Sequence, residues 1–107
     1  MRYDVQLTLG AARDLAEIRR FLTESESAAR AGQILSALQG RLATLAEMPS
    51  RGNMPRELSH LGVVGLRELH HQSYRMIYLI EGRVVSVIAV ADGRRDMQSF
   101  LQRRLLR

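Results

Sequence analysis

The chain has 107 residues, the size of one domain, and its 16 arginines, absence of lysine and 11 acidic residues give a net charge of +5. It contains no cysteine and only three histidines at irregular spacing, which excludes disulfides and thiolate metal sites and gives no indication of zinc. The longest apolar run, 84–91, is too short to cross a bilayer, so we expect one soluble, cytoplasmic domain over residues 1–107, with no cofactor, no metal and no membrane partner.

The use of arginine as the only basic residue has two explanations. Each guanidinium is planar, permanently charged and suited to phosphate or carboxylate, which indicates nucleic acid or an acidic protein surface as a partner. A GC-rich coding sequence would favour arginine codons without any functional reason, and we give this second explanation more weight.

The chain begins with a predicted strand and a predicted helix. Residues 1–9 alternate between apolar and polar side chains, which is typical of a strand with one buried face at a sheet edge. Gly10 ends this alternation, and from Ala11 to about 23–26 apolar residues recur at helical spacing. The apolar face of this helix is Ala11, Leu15, Ile18 and Leu22, and its charged surface is Arg13, Asp14, Glu17, Arg19 and Arg20.

A second helix follows and forms a hairpin with the first. Ser25 or Ser27 is suited to cap its N-terminus, and Pro49 ends it. Its apolar stripe consists of Ala31, Ile34, Leu35, Leu38, Leu42 and Leu45. Two amphipathic helices joined by a few polar residues predict an antiparallel pair that packs on another surface. Residues 49–65 hold both prolines and three glycines, which predicts a loop with a helical turn at 55–58.

Three predicted strands supply that surface. Runs rich in Val, Ile, Leu and Tyr are separated by short polar breaks at 72–73 and 81–83, which suit two tight hairpins. In 74–81 and 84–91 both alternating sets are largely apolar, which predicts central strands covered on most of both faces. Arg75 is the exception, a cation inside an apolar strand.

A final helix completes the predicted fold. Residues 92–93 are typical of a turn, and Asp96 is suited to cap a helix whose apolar side is Met97, Phe100, Leu101 and Leu105. The fold class is therefore α+β, with the order β-α-α-β-β-β-α. We expect an N-terminal strand, a helical hairpin packed on a mainly antiparallel four-stranded sheet, and a C-terminal helix.

Six short motifs follow one another between residues 11 and 96. The most specific are YRMIYLI, which begins at Tyr74, and GRRD, which begins at Gly93. The others are A-x-x-DL-x-x-I from Ala11, L-x-x-x-P from Leu45, G-x-x-P-x-EL from Gly52 and G-LREL from Gly65. In this order they resemble the ParE/RelE superfamily of toxins from type II toxin–antitoxin systems. The resemblance implies the same fold and a compact basic toxin, neutralised by a cognate antitoxin whose acidic segment wraps the toxin.

The superfamily contains two chemistries, so its fold does not determine the function. The resemblance to the ParE branch implies inhibition of DNA gyrase, whereas the RelE branch cuts messenger RNA in the ribosomal A site. Growth inhibition and plasmid stabilisation are the roles that the resemblance implies for either branch.

The ribonuclease chemistry requires a base for the 2′-hydroxyl, cations for the phosphorane charge and an acid for the leaving oxygen. The cation candidates are Arg67, Arg75, Arg94 and Arg95, which we expect to converge on one concave face. RelE-type toxins are similar at the strand arginine and at a basic residue near the last strand.

The sequence differs from the RelE pattern in its proton-transfer groups. That pattern has a Tyr or His near the C-terminus, but no Tyr or His follows Tyr78, and Phe100 lies in that region. His70 or His71 remains as a candidate, because neighbouring strand residues point to opposite faces and one of them must share the face of Arg75.

Several candidates also have purely structural explanations. Arg75 can pair with Glu68 or Glu81, and the GRRD segment can be a solvated turn and helix cap. Tyr74 and Tyr78 can belong to the core instead of stacking on bases. Four methionines are predicted to be core or gap-filling residues: Met48, Met54, Met76 and Met97.

The sequence favours the ParE branch, a non-enzymatic toxin that binds DNA gyrase. We expect an antitoxin to lay an apolar helix over the helical hairpin and an extended segment beside the sheet. The arginines expected to bind antitoxin or target are Arg67, Arg75, Arg94 and Arg95. The alternative is a ribosome-dependent endoribonuclease acting on messenger RNA with Arg75, Arg94, Arg95 and either His70 or His71. A non-toxic member retained as a binding module also fits the sequence.

Overall fold

The computed structural model describes residues 2–57 and 65–106. Within these ranges the elements follow the predicted order, β-α-α-β-β-β-α. They are β1 (Asp4–Leu7), α1 (Leu9–Ser25), α2 (Ala28–Ala43), β2 (Leu66–His71), β3 (Tyr74–Glu81), β4 (Val84–Asp92) and α3 (Met97–Leu105), with 3-10 turns at Thr44–Ala46 and Pro49–Arg51. Positions 1 and 58, in the predicted first strand and the predicted turn at 55–58, lie outside the described residues. None of the described helices is long and apolar enough to cross a membrane.

The four strands form one mixed sheet in the order β1-β4-β3-β2. β2, β3 and β4 make the predicted antiparallel meander, and β1 lies at the edge, parallel to β4. Gly82 takes the positive φ (58°) that suits the second tight turn, whereas the first turn places Gln72, a residue type that seldom adopts this region, at a φ of 54°. A bulge between Ile77 and Tyr78 shifts the β3–β4 register by one residue.

Both faces of the sheet are covered, as the apolar character of β3 and β4 predicts. The hairpin of α1 and α2 packs on one face, and the whole predicted stripe from Ala31 to Leu45 is buried there. Helix α2 ends at Ala43, before the predicted end at Pro49, and Leu45 lies in the 3-10 turn that follows. On the opposite face, α3 buries Met97, Phe100 and Leu101 against Ile77 of β3. Arg75 lies on this second face, because its neighbours Tyr74 and Met76 point into the hairpin-side core.

The first strand is shorter than predicted. Helix α1 begins at Leu9, so Gly10 lies inside the helix and does not separate the two elements. The reason is a cap: the side chain of Thr8 accepts a hydrogen bond from the N–H of Ala11 (3.2 Å) and starts the helix within the alternating stretch. Leu7 and Leu9 are consequently exposed, not buried on the strand's inner face.

Two of the predicted caps are confirmed. The side chain of Ser27 accepts a hydrogen bond from the N–H of Arg30 (3.0 Å), and that of Asp96 accepts one from the N–H of Ser99 (3.1 Å). Ser25, the other candidate, instead donates to the carbonyl of Phe21. These short polar contacts fix where α2 and α3 begin.

Two groups of side chains lie elsewhere than predicted. Asp14, assigned to the surface of α1, is buried and accepts a hydrogen bond from the N–H of Val90 in β4 (2.9 Å). Its carboxylate also receives both terminal nitrogens of Arg104 from α3, each at 2.9 Å. Met48 and Met54 are exposed and not core, whereas Met76 and Met97 are buried as predicted.

Candidate functional site

Arg75 is held between two carboxylates. Its Nε donates to Glu68 Oε1 (2.6 Å), and its Nη1 and Nη2 donate to the two carboxylate oxygens of Glu57 (2.7 Å each). Of the two partners suggested by the sequence, Glu68 is therefore correct and Glu81 is not. The side chains of Arg75 and Glu68 are 13% and 4% exposed. We call Glu57, Glu68 and Arg75 the carboxylate clamp.

The second oxygen of Glu68 extends the clamp to two further side chains. Glu68 Oε2 accepts from Asn53 Nδ2 (3.1 Å) and lies 3.2 Å from His70 Nε2. His70 is directly opposite Arg75 in the β2–β3 register, so it is the histidine that shares the arginine's face. His71 pairs with Tyr74 and points to the hairpin side.

The clamp is electrostatically satisfied. Hydrogen bonds from Arg75 lower the pKa of Glu57 from 4.5 to about 2, although desolvation opposes the shift. The same contacts raise the pKa of Arg75 above its usual value. Because two carboxylates surround one guanidinium, a phosphate approaching Arg75 would displace a bidentate partner and meet residual negative charge.

The loop that carries Glu57 is fastened to the sheet by Tyr78 and Arg67. The hydroxyl of Tyr78 accepts from the N–H of Gly52 (3.0 Å) and donates to the carbonyl of Pro49 (2.7 Å). Arg67 donates to the carbonyl of Gly52 (2.7 Å). Gly52 leaves no room for a side chain, since a Cβ there would lie 2.4 Å from the carbonyl oxygen of Glu68. Close backbone approach thus places the loop where Glu57 meets Arg75.

The other three predicted arginines do not gather around Arg75. Arg67 lies on the hairpin-side face of β2, alternating with Glu68, and holds the loop. Arg94 is exposed and its Nε donates to Asp92 Oδ1 (3.0 Å), a contact that lowers the pKa of Asp92. Arg95 lies over the ring of Phe100, 4.3 Å from its centroid. The expectation of one concave cationic face is therefore wrong.

One link between GRRD and the strand arginine does exist. Gly93 lies against the aliphatic stem of Arg75, where a Cβ would be 2.7 Å from Arg75 Cδ. Its N–H also donates to the carbonyl of Ser73 (2.6 Å). The glycine of this motif therefore lets the end of β4 pack closely on Arg75, which is a structural role.

The two strand tyrosines belong to the core. Tyr74 and Tyr78 are buried, and burial raises the pKa of each hydroxyl above its usual value. Among the described residues, no group of His, Asp and Glu side chains is arranged to hold a metal ion.

A groove next to the GRRD segment lies on the hairpin side of the sheet, where β4 ends. It is about 540 Å³ in volume and lies between α1, the start of α2 and the β2–β3 turn. Exposed Phe21 and half-buried Ile18 give it an apolar wall, and Arg94 and Arg95 lie at its end. We call it the hairpin groove.

Sequence reasoning did not identify Glu57 and Arg104 as partners of buried charges. Glu57 lies 18 residues before Arg75, and Arg104 lies 90 residues after Asp14. Both pairs join separate elements, so no local periodicity reveals them. The available signal was the presence of Asp14 and Glu57 in motifs of otherwise apolar or turn character.

A family model described as the ParE toxin of the type II toxin–antitoxin system parDE matches residues 5–97. The chain belongs to this family of toxins. The matched segment begins at the second residue of β1, contains the other three strands, both helices of the hairpin and the carboxylate clamp, and ends at the first residue of α3.

Solved structures of this superfamily share the fold. A chain of the chromosomal ParDE system from P. aeruginosa has a TM-score of 0.72 at 16% identity, over 85% of this chain and 96% of that one. One from the RelBE2 toxin–antitoxin complex of Mycobacterium tuberculosis has a TM-score of 0.62 at 24% identity, over 86% and 92%. A mutant of the E. coli toxin RelE in the free state has 0.62 at 19% identity, over 96% and 98%. A search of curated proteins gave no match.

Proposed function

We propose that this family member inhibits growth by binding DNA gyrase, without cutting RNA, and is held inactive by a cognate antitoxin. The observation that carries the proposal is the carboxylate clamp. RNA cleavage requires a strand arginine free to neutralise a phosphorane, and here Arg75 is committed to Glu57 and Glu68. The match of residues 5–97 to the ParE family supports the same branch.

The proton-transfer groups support the proposal as well. The hydroxyl of Tyr78 is buried and engaged at both its donor and its acceptor side. No Tyr or His follows it in the sequence. His70 has its Nε2 beside Glu68, so of the two described histidines the one on the face of Arg75 is directed at a carboxylate.

Two surfaces suit an antitoxin. β1 is an edge strand of the sheet, and an extended segment could pair with it. A groove next to β1 would hold the side chains of that segment; it is lined by Tyr3, Val5, Leu42 and Ala46. The hairpin groove, with Phe21 and Ile18, fits the apolar side of a helix. Arg94 and Arg95 at its end would meet carboxylates of an acidic partner. Solved relatives named as ParDE and RelBE2 systems, both toxin–antitoxin pairs, support such a partner.

The second candidate is a ribosome-dependent endoribonuclease. One observation favours it: His70 lies opposite Arg75 on the same sheet face, next to an open depression of about 360 Å³ that both side chains line. Release of Glu57 would free the guanidinium beside the imidazole of His70. This candidate requires the clamp to open on the ribosome.

Two assays with purified components distinguish the two candidate functions. We expect the protein to inhibit supercoiling by gyrase and to leave messenger RNA intact on translating ribosomes. His70→Ala should inhibit gyrase as strongly as the parent protein does, because the proposal gives His70 no role beyond its contact with Glu68. His71→Ala is the control on the opposite face of the sheet. Transcript cleavage at codon-phased positions that His70→Ala abolishes would contradict the proposal and establish the second candidate.

A further inference from the structure

A further groove, away from the carboxylate clamp, lies between the start of α1 and α3. It is about 600 Å³ in volume and open to solvent. Its walls carry four arginines and two carboxylates: Arg13, Arg95, Arg103 and Arg104, with Asp14 and Glu17. Asp14 is fully engaged by Arg104 and by the N–H of Val90, which leaves Glu17 as the other carboxylate of the lining, and Asp96 at the start of α3 lies within electrostatic reach of Arg103. We call this the arginine groove.

The three remaining guanidiniums are uncommitted. Within residues 2–57 and 65–106, the side chains of Arg13, Arg95 and Arg103 make no hydrogen bond and no ion pair. All three are exposed, so each keeps its N–H donors available to a ligand. In contrast, Arg2, Arg30 and Arg94 each form an ion pair at the surface.

The ring of Phe100 pre-orders part of the groove. Arg95 and Arg104 lie with their guanidinium carbons 4.3 and 4.9 Å from the ring centroid. Stacking on the aromatic ring positions Arg95 without consuming its hydrogen-bond donors. Phe100 itself is 6% exposed, so the surface that a ligand meets is the guanidinium layer, not the ring.

The composition of the groove distinguishes the class of partner. No exposed apolar side chain lines it among the described residues, whereas the hairpin groove has Phe21. Protein interfaces are anchored by buried apolar and aromatic side chains. Protein–DNA interfaces are polar and strongly positive, and much of their affinity comes from arginine and lysine on phosphates.

We propose that the arginine groove binds the phosphate backbone of duplex DNA through Arg13, Arg95 and Arg103. The choice of DNA over duplex RNA rests on the proposed action at gyrase, an enzyme that holds DNA; the phosphate chemistry itself comes from the groove alone. The toxin would then have two adjoining binding surfaces that share Arg95, a partly apolar one for protein and a cationic one for DNA.

The test is equilibrium binding of the whole protein to a duplex DNA of about 20 base pairs, at several salt concentrations. Arg13→Gln, Arg95→Gln and Arg103→Gln are combined in one variant. Its matched control combines Arg19→Gln, Arg20→Gln and Arg51→Gln, which removes the same charge from exposed arginines outside the groove. Circular dichroism of both variants checks that they fold.

The groove variant should bind DNA much more weakly than the parent protein. The slope of log K against log salt should fall by about 2 to 3, because each phosphate that is no longer neutralised lowers it by roughly 0.9. The control variant should bind with nearly the parent slope. Equal weakening in both variants, or tighter binding of duplex RNA or a polyglutamate peptide than of DNA, would overturn the inference. The supercoiling assay on the same proteins keeps the two proposals apart, because gyrase inhibition without DNA binding would remove only this one.

Discussion

Arg75 and Asp14 are each held by charged partners that come from other elements. Arg75 joins β3 to β2 and to the loop at 49–57, and Asp14 joins α1 to β4 and α3. A buried charge is tolerated only when it is paired and hydrogen-bonded, and both meet that condition. Among the described residues, no buried side-chain polar atom lacks a partner. The contacts of Asp14 therefore tie the helices on the two faces of the sheet together, and those of Arg75 tie the loop to one face.

The pKa of Glu57 gives a prediction for stability against pH. Its folded value of about 2 lies below the ordinary 4.5, so its stabilising contribution is complete above about pH 4.5 and disappears as the pH falls towards 2. We expect Glu57→Gln to lower the free energy of unfolding by about 1–3 kcal/mol at pH 7. Urea unfolding across this pH range measures the difference from the parent protein, which should vanish near pH 2.

An exposed carboxylate provides the control for that experiment. Glu24→Gln on α1 should change the free energy of unfolding by less than about 0.5 kcal/mol at pH 7. A Glu57→Gln protein as stable as the parent at pH 7, or a difference between the two that is constant down to pH 2, would show that the clamp contributes nothing to folding.

At the level of elements, periodicity and turn chemistry predict most of the fold. The α2 stripe, the three strands of the meander and the caps Ser27 and Asp96 all follow from contacts within a few residues, which is why the sequence reveals them. The parallel pairing of β1 with β4 could not be predicted, because strand order depends on contacts between distant segments. The arginine cluster was expected in place of the observed clamp for the same reason, because Glu57 and Arg75 are brought together by contacts between distant segments.

Gly52 offers a test of how the loop before β2 is held. A Cβ at this position would lie 2.4 Å from the Glu68 carbonyl oxygen and 2.6 Å from the Tyr78 hydroxyl, so Gly52→Ala must push the loop off the sheet. We expect the free energy of unfolding, measured by urea denaturation, to fall by about 1–3 kcal/mol.

Gly40 is the matched glycine for this comparison. It is exposed in α2, and a Cβ there meets no atom within 4 Å. Gly40→Ala should therefore stabilise the protein by about 0.5–1 kcal/mol through helix propensity. If Gly52→Ala and Gly40→Ala changed the free energy of unfolding equally, the requirement for glycine at position 52 would not come from close packing of the loop on Tyr78.

On the molecule as a whole, the surface has three regions. In the carboxylate clamp the charged groups pair with one another and leave an excess of negative charge, the hairpin groove and the β1 edge are the proposed protein-binding surfaces, and the arginine groove is the proposed phosphate-binding surface. Family membership and the ParE/RelE fold follow from the matched residues and from the solved relatives. The proposed action by binding requires no catalytic residue, and under that proposal the strand arginine is a structural residue.

The most direct test of gyrase-directed action is induction of the toxin without an antitoxin in growing cells. Transcript ends, DNA supercoiling and the DNA damage response are scored in the same cultures, with uninduced cells as the control. We predict arrested growth with blocked supercoiling or DNA breaks, and intact transcripts. Codon-phased cuts in translated messenger RNA with normal supercoiling would contradict the account and show that the clamp around Arg75 opens for catalysis.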